Sequence, residues 1–286
     1  MATHMDSLVG AAWLAQQLGA DDLVVLDASQ HLPGAKRDAR AEFTAAHIPG
    51  ARFLDLATLI DPASDIANAV PKAAQFAARM SALGIRPDWR ILLYDDSKLR
   101  SAARAWFVFR MMGVVRCAIL DGGLEAWRSE GRPLEAGLQP CEPSDYLAPQ
   151  ASVTRLRTKA QVLANCQSRE EQLVDARDVA RFTGETADAV HGLPGGHIPG
   201  ARHLFFRDVL DDAGRFRPVD ELTELFRRTG VDPDRPIVTS CGSGMSASVL
   251  LFALHLIGKQ DTALYDGSWS EWGSDPAMPR ETGEAA

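Results

Sequence analysis

Cys241 is the residue whose sequence surroundings most clearly indicate chemistry. It follows an apolar segment, 236–240, that is typical of a buried strand, and a helix is predicted over 247–257 after a short loop. A cysteine between a strand end and a helix start lies where backbone N–H groups lack partners and the helix dipole is positive. Both features stabilise an anion, and therefore a thiolate. The sequence predicts that Cys241 is a nucleophile.

The loop after this cysteine consists of small residues, Gly242, Ser243, Gly244, Met245 and Ser246. Its two glycines allow the backbone to fold tightly around a charged sulfur or the group that the sulfur carries. We therefore predict that residues 242–246 form an anion-binding loop. The Ser243 hydroxyl is predicted to hydrogen-bond the sulfur. An alternative, that it only satisfies a backbone group, remains open.

The other three cysteines lack this context. Cys117 lies in an apolar strand-like run, Cys141 in a proline-rich stretch, and Cys166 near a predicted helix end. Free cysteine is commonly an inert apolar residue, so we interpret all three as structural. Because the four cysteines have no paired short spacings, neither a zinc site nor a disulfide framework is predicted, and a reducing cytoplasm is expected.

Composition excludes several classes of function. The chain of 286 residues is 46% hydrophobic with a formal net charge of −8 and no long basic run, so nucleic acid is not an expected partner. No apolar stretch approaches the ~18 residues needed to span a bilayer, so no membrane association is predicted. The first residues lack the basic-then-apolar order of a secretory signal.

Internal repetition indicates the domain organisation. The hexapeptide His-Ile-Pro-Gly-Ala-Arg occurs at 47–52 and again at 197–202. Three further segments recur in the same order: 24–28 with 172–176, 83–88 with 229–234, and 120–127 with 265–272. This period is far longer than that of solenoid repeats, so each copy is predicted to be a domain. We predict domains over 6–133 and 154–276, joined by a connection over 134–153.

Within each copy, short apolar strands alternate with amphipathic helices. In the second copy, strands are predicted at 173–175, 236–240 and 263–265, and a helix at 220–228. Such alternation predicts an α/β fold in which each domain is a mostly parallel sheet with helices on both faces. Ligands bind at the strand ends of such sheets.

The two copies differ at the decisive position. After the strand predicted at 90–94, the first copy has Asp95 where the second has Cys241, and its loop lacks glycine. An aspartate is not a sulfur nucleophile. We expect the first copy to keep the fold without the chemistry and to cover one side of the active site.

The two copies, the hexapeptide in each, the cysteine in the second alone and the Asp-Gly-Ser-Trp segment at 266–269 together resemble the two-domain sulfurtransferases of the rhodanese family. The resemblance spans roughly 8–273 and implies two tandem rhodanese-like domains. The loop is similar to that of the 3-mercaptopyruvate branch, typically Cys-Gly-Ser-Gly-Val-Thr, with Met245 and Ser246 as mild departures. The thiosulfate branch typically has basic residues after the cysteine, which favour a small dianion.

This resemblance implies a ping-pong reaction through a Cys241 persulfide, with a sulfur donor and then cyanide, a small thiol or thioredoxin as acceptor. No metal or organic cofactor is required. Arg181 matches the family's first substrate-binding arginine, whose planar fork suits a carboxylate. At the second arginine of the mercaptopyruvate branch this chain has Val190, followed by His191. His191 is a candidate substitute, but a solvated loop histidine is the favoured interpretation.

Two residues of the first copy are further candidates. Asp38 and His47 resemble a family stretch proposed to face the cysteine. However, His47 recurs as His197 in the second copy, which favours a structural role in a turn. We also expect Asp175 and Arg177 to form a structural pair.

Three alternatives remain open at this point. The same fold can act on thiosulfate, which the missing second arginine favours and the neutral loop disfavours. A cysteine-based phosphatase or arsenate reductase needs an arginine six residues after the cysteine, where this chain has Ala247. A non-enzymatic persulfide carrier needs only Cys241 and its loop.

Overall fold

The computed structural model describes residues 5–138, 140–147 and 151–284. These residues form two compact units. The first unit comprises the described residues up to Asp61, with Val70–Ser152 and Ala213–Arg215, and the second unit comprises Pro62–Ala69, Val153–Asp212 and the described residues from Phe216 onward. Part of the connection predicted at 134–153, namely Gln139 and 148–150, lies outside the described residues.

The first unit contains a five-stranded parallel sheet with the order β1-β5-β4-β2-β3. Its strands are β1 (Leu8–Val9), β2 (Leu23–Asp27), β3 (Arg52–Phe53), β4 (Arg90–Tyr94) and β5 (Cys117–Leu120). Its helices are α1 (Ala11–Gln17), α2 (Ala39–Ala45), α3 (Ala73–Ala82), α4 (Ala102–Met111) and α5 (Gly123–Ser129).

The central strand β4 is buried at every residue because helices cover both faces of this sheet. Leu92 and Tyr94 pack in a core cluster with Leu14 of α1 and Trp127 of α5. Helix α4 packs against β4 and β5, and its Phe109 contacts Phe76 of α3. A strand buried on both faces reads as a continuous apolar run, which is what the sequence shows at 91–94.

The second unit repeats this architecture with the strand order β6-β10-β9-β7-β8, again parallel throughout. Its strands are β6 (Leu156–Arg157), β7 (Gln172–Asp175), β8 (Arg202–His203), β9 (Ile237–Ser240) and β10 (Thr262–Tyr265). Its helices are α6 (Lys159–Ser168), α7 (Val179–Thr183), α8 (Val219–Arg228), α9 (Ala247–Leu256) and α10 (Ser268–Trp272).

The predicted fold class is confirmed: each unit is an α/β fold built on a parallel sheet. The elements around Cys241 lie within one or two residues of their predicted bounds, because they carry clear apolar periodicity. The two-residue edge strands β1, β3, β6 and β8 are too short to give a periodic signal. No helix among the described residues is long and apolar enough to cross a membrane.

Candidate active site

Cys241 lies directly after β9, the central strand of the second sheet, and six residues before α9 begins. Only 1% of the residue is exposed. The Cys241 loop (residues 241–246) therefore sits at the carboxyl ends of parallel strands, where ligand sites of α/β folds are found. The strand, loop and helix that the sequence predicts around this cysteine are all present.

The backbone N–H groups of the Cys241 loop fall into two sets. Those of Cys241 and Gly244 donate to Ser268 Oγ at 3.1 and 3.2 Å. Those of Gly242, Ser243, Met245 and Ser246 have no acceptor among the described residues. Unpaired donors at the start of a helix form a binding site for an anion.

The first unit shows how the equivalent loop holds an anion. Its Asp95 follows β4 as Cys241 follows β9, and the Asp95 carboxylate accepts the N–H groups of Ser97 and Ala102 at 2.9 and 2.8 Å. Burial nevertheless raises the pKa of Asp95 above its ordinary value. The corresponding N–H group of Ser243 has no acceptor among the residues that the structure describes. The second unit thus keeps the loop and leaves its donors available.

Ser268, which sequence reasoning missed, supports the Cys241 loop. Its buried hydroxyl accepts the two loop N–H groups and donates to the carbonyl oxygen of Tyr265 at 2.8 Å. The residue has a left-handed backbone with φ +50°, which turns the chain from β10 into α10. The N–H of Trp269 donates to the Cys241 carbonyl at 2.9 Å, so α10 fixes the loop through its backbone as well.

Arg181 lies in the short helix α7, close to two carboxylates. Its Nε donates to Asp178 at 2.6 Å, and one of its Nη atoms lies 3.4 Å from Asp188. Burial lowers the pKa of Arg181, but Asp178 and Asp188 outweigh this and raise it above its ordinary value. The side chain is 23% exposed and permanently cationic. Its role as the substrate-binding arginine remains a prediction.

Asp188, a second residue missed from the sequence, is the carboxylate around which the cations of this region gather. It is fully buried, and Arg177, Arg181 and His191 lie 3.9, 3.4 and 3.1 Å from its oxygens. Burial raises the pKa of Asp188, but His191 and the two arginines outweigh this and lower it overall. Asp188 is therefore an ionised carboxylate that orients cationic side chains.

His191 is not the solvated loop histidine that the sequence favours. Its side chain is 17% exposed and its Nδ1 lies 3.1 Å from Asp188. The ring also packs on Gly242, so closely that a Cβ built there would lie 2.3 Å from His191 Cε1. The expected exposure is wrong because a loop that looks polar in sequence folds onto the Cys241 loop.

Asp38 and His47, both in the first unit, make structural contacts there. Asp38 caps α2 by accepting the N–H groups of Arg40 and Ala41, each at 3.0 Å. His47 is buried, stacks on Phe43 at 4.0 Å, and its Nδ1 lies 2.7 Å from the Phe43 carbonyl oxygen.

His197 makes the same contacts in the second copy, stacking on Phe182 at 3.9 Å with its Nδ1 2.9 Å from the Phe182 carbonyl oxygen. Packing therefore accounts for a histidine in both copies of the hexapeptide, as the sequence favours. A role for Asp38 or His47 in catalysis remains a prediction.

The remaining residues singled out in the sequence belong to the packing around the site. Arg177 and Asp175 are both buried and paired at 2.6 Å, as expected. Trp269 and Trp272 belong to the core of the second unit. Cys117 is buried in β5, and this burial raises the pKa of its thiol. All four cysteines are free thiols.

Comparison with known proteins identifies this arrangement. A family model for the rhodanese-like domain matches residues 10–130 and 158–275. The 3-mercaptopyruvate sulfurtransferase of Rattus norvegicus is 38% identical over 272 residues, covering 93% of this chain and 91% of that protein. The thiosulfate sulfurtransferase of Gallus gallus is 37% identical over 273 residues, covering 93% of each.

A solved structure agrees with these matches. The SseA protein of Escherichia coli, described as a 3-mercaptopyruvate sulfotransferase with the rhodanese fold, superposes with a TM-score of 0.84. It is 34% identical to this chain and covers 93% of this chain and 99% of its own. The chain therefore belongs to the rhodanese family of sulfurtransferases and carries two rhodanese-like domains, the second with Cys241 at the end of its central strand.

Proposed function

We propose that this protein is a 3-mercaptopyruvate sulfurtransferase, which moves sulfur through a Cys241 persulfide to cyanide or a thiol. The carrying observation is the Cys241 loop, whose free N–H groups suit a persulfide anion and which contains no basic side chain. Relatives from Rattus norvegicus and Escherichia coli bear this name at 38% and 37% identity.

In the first half-reaction, the Cys241 thiolate attacks the sulfur of 3-mercaptopyruvate. A sulfur–sulfur bond forms, the carbon–sulfur bond breaks, and its electron pair leaves with pyruvate as the enolate. The proton of the outer sulfhydryl passes through solvent to the enolate carbon, which leaves pyruvate and a persulfide anion. The free N–H groups of the Cys241 loop stabilise that anion as an oxyanion hole stabilises an alkoxide.

In the second half-reaction, the acceptor attacks the outer sulfur and the sulfur–sulfur bond breaks. Cyanide becomes thiocyanate, and a thiolate becomes a persulfide, while Cys241 returns to its thiolate. A thiol acceptor, including thioredoxin as a protein acceptor, requires a reducing compartment such as the cytoplasm. Neither half-reaction needs a metal or an organic cofactor.

Two side chains complete the proposed site. Arg181 binds the carboxylate of the donor with the part of its guanidinium that Asp178 and Asp188 leave open. The Ser243 hydroxyl has no partner among the described residues and is available to the keto oxygen or to the sulfur. Asp38 and His47 remain candidate residues from the first copy.

Thiosulfate is the second candidate donor. The absence of an arginine at Val190 and the similarity to the Gallus gallus thiosulfate sulfurtransferase favour it. The loop argues against it, because a small dianion is best attracted by cationic side chains beside the sulfur.

The deciding experiment measures kcat/KM for 3-mercaptopyruvate and for thiosulfate side by side, with cyanide as acceptor and Cys241→Ala as the blank. We expect a strong preference for 3-mercaptopyruvate. A preference for thiosulfate would show that the missing arginine outweighs the neutral loop. Formation of a persulfide without turnover on either donor would instead identify a sulfur carrier.

A further inference from the structure

His191 occupies the space that a side chain at Gly242 would fill. The distances from a Cβ built at Gly242 are 2.3 Å to Cε1 and 3.1 Å to each ring nitrogen of His191. The imidazole therefore lies against the residue that follows the nucleophile. Since Gly242 has no side chain, the ring takes its place at the surface of the Cys241 loop.

The groups that face His191 are charged. Asp188 contacts its Nδ1 and also contacts Arg177 and Arg181. Those two arginines are bound in turn by Asp175 and Asp178. On the side of the nucleophile, the ring packs on Gly242 of the Cys241 loop.

The charges of this cluster balance only when His191 is protonated. Three carboxylates, Asp175, Asp178 and Asp188, face two arginines, so a neutral imidazole leaves the cluster with a net charge of −1. A protonated imidazole brings the net charge to zero. Histidine is the side chain whose charge ordinarily changes between about pH 5 and 8.

We propose that His191, oriented by Asp188 and packed on Gly242, is the second cationic group for the carboxylate of the sulfur donor, so that binding of the donor weakens as this imidazole loses its proton. This inference rests on the proposed function, since it assumes a carboxylate-bearing donor. His191 is then a pH-dependent specificity residue beside the Cys241 loop, which itself contains no basic side chain.

Val190 does not supply this charge. Its side chain is apolar and the residue is 47% exposed. The protonated imidazole offers a charge-assisted hydrogen bond from Nε2, the nitrogen that Asp188 leaves free. It is a single donor rather than a planar fork, so the gain in affinity is that of one hydrogen bond and not of a bidentate pair.

The test is a pH profile of kcat/KM for 3-mercaptopyruvate with cyanide, measured for the wild type and for His191→Gln and His191→Arg. Dividing the wild-type value by the His191→Gln value at each pH cancels the titrations of Cys241 and of the substrates. We expect this ratio to be about tenfold at pH 5.5, the size of one charge-assisted hydrogen bond, and to fall close to one at pH 8.5. The ratio of His191→Arg to His191→Gln should not change with pH.

His255→Gln is the matched control, because His255 belongs to the same unit but lies in the last turn of α9, at the opposite end of that helix from the Cys241 loop. Its kcat/KM should follow the wild type at every pH. If His191→Gln does not fold, the ratio of His191→Arg to wild type, which should rise with pH, gives the same information.

If both proteins turn over 3-mercaptopyruvate and the ratio of their kcat/KM values does not change with pH, the role of His191 is overturned and the proposed function stands. A complete absence of turnover with 3-mercaptopyruvate at every pH overturns both. The proposal is supported if the wild-type KM for 3-mercaptopyruvate falls as the pH is lowered, kcat changes little, and the KM of His191→Gln does not show this fall. A purely structural role would not give this pattern.

Discussion

Cys241 and Asp95 occupy the same position in the two copies, but they differ in whether they accept the N–H groups of the loop that follows. The Asp95 carboxylate accepts the N–H groups of Ser97 and Ala102, so its loop carries its own anion. A thiol is not such an acceptor, and the four N–H groups of the Cys241 loop that Ser268 does not bind remain for a group that arrives during the reaction. The residue at the end of the central strand therefore decides whether the loop donors already have an acceptor within the protein.

Replacing the nucleophile tests this contrast. Cys241→Ala and Cys241→Asp should both abolish sulfur transfer, because neither forms a persulfide. We expect Cys241→Asp to melt at a higher temperature than Cys241→Ala at pH 8, since its carboxylate accepts N–H groups that alanine leaves unpaired. Calorimetry and a cyanide assay measure both properties. Turnover in either variant would refute the persulfide mechanism.

Arg181 offers a second test at the scale of one residue. Arg181→Ala should mainly raise KM for 3-mercaptopyruvate. The expected loss of binding free energy is roughly 1.5–3 kcal/mol, the value of one charge-assisted pair. Arg217→Ala is a suitable control, because Arg217 forms an exposed pair with Glu221 on the surface of the same unit. Steady-state kinetics with cyanide give both parameters. An unchanged KM in Arg181→Ala would remove this arginine from the site.

The sequence identifies residues whose role depends on their near neighbours. Cys241 is recognisable because the strand, the glycines and the helix that surround it are contiguous. Ser268 and Asp188 are not, because Ser268 acts on a loop 27 residues away and Asp188 gathers side chains from a segment that carries no periodic pattern. The burial of His191 is hidden for the same reason, since it arises from contact with Gly242.

At the scale of elements, the start of α10 and the Cys241 loop form one hydrogen-bonded assembly. Ser268 Oγ accepts from two loop residues, and the N–H groups of Trp269 and Ser270 donate to the carbonyls of Cys241 and Gly242 at 2.9 and 2.8 Å. The free N–H groups keep their positions because these bonds fix the rest of the loop backbone. Preorganised donors of this kind need no rearrangement during the reaction.

Ser268→Ala tests that arrangement. It leaves the N–H groups of Cys241 and Gly244 without their acceptor, which should lower stability by about 1–3 kcal/mol and reduce kcat more than it changes KM. The control is Ser270→Ala, which removes a hydroxyl that donates only to the Gly267 carbonyl at 3.0 Å within the same turn. Denaturant unfolding and steady-state kinetics are the measurements. Equal kcat values for the two variants would show that the Ser268 hydroxyl does not position the loop.

At the scale of the whole molecule, the two copies have the same arrangement of strands and helices but differ in the partners of a buried carboxylate at one strand end. Asp27 ends β2 in the first unit and Asp175 ends β7 in the second, and both are buried. Asp175 pairs with Arg177, whereas the corresponding residue after Asp27 is Ser29, whose N–H donates to the carboxylate at 2.9 Å. Burial raises the pKa of Asp27 to about 6, and its hydrogen bonds with Ser29 and Tyr94 only partly oppose this.

The ionisation of Asp27 makes the stability of the first unit depend on pH. Because the folded pKa of Asp27, about 6, lies above the ordinary value of 3.8, the folded state holds a proton that the unfolded state has released. Asp27 therefore costs no stability below its unfolded pKa, and its cost grows as pH rises from about 4 to 6 and is complete above that. Asp27→Asn should stabilise the first unit by roughly 2–3 kcal/mol at pH 8 and hardly at pH 4.

The same substitution in the second unit should have the opposite effect. Asp175→Asn removes the carboxylate that pairs with the buried guanidinium of Arg177 at 2.6 Å and leaves only Asp188 at 3.9 Å, so we expect a loss of about 3–5 kcal/mol. Calorimetric melting of both variants and the wild type at pH 5 and pH 8 compares the two positions directly. A stabilising Asp27→Asn beside a destabilising Asp175→Asn would show that each copy has its own charge balance at a shared strand end. Destabilisation by Asp27→Asn at pH 8 would mean that the ionised carboxylate holds the first unit together, and that its burial is fully compensated.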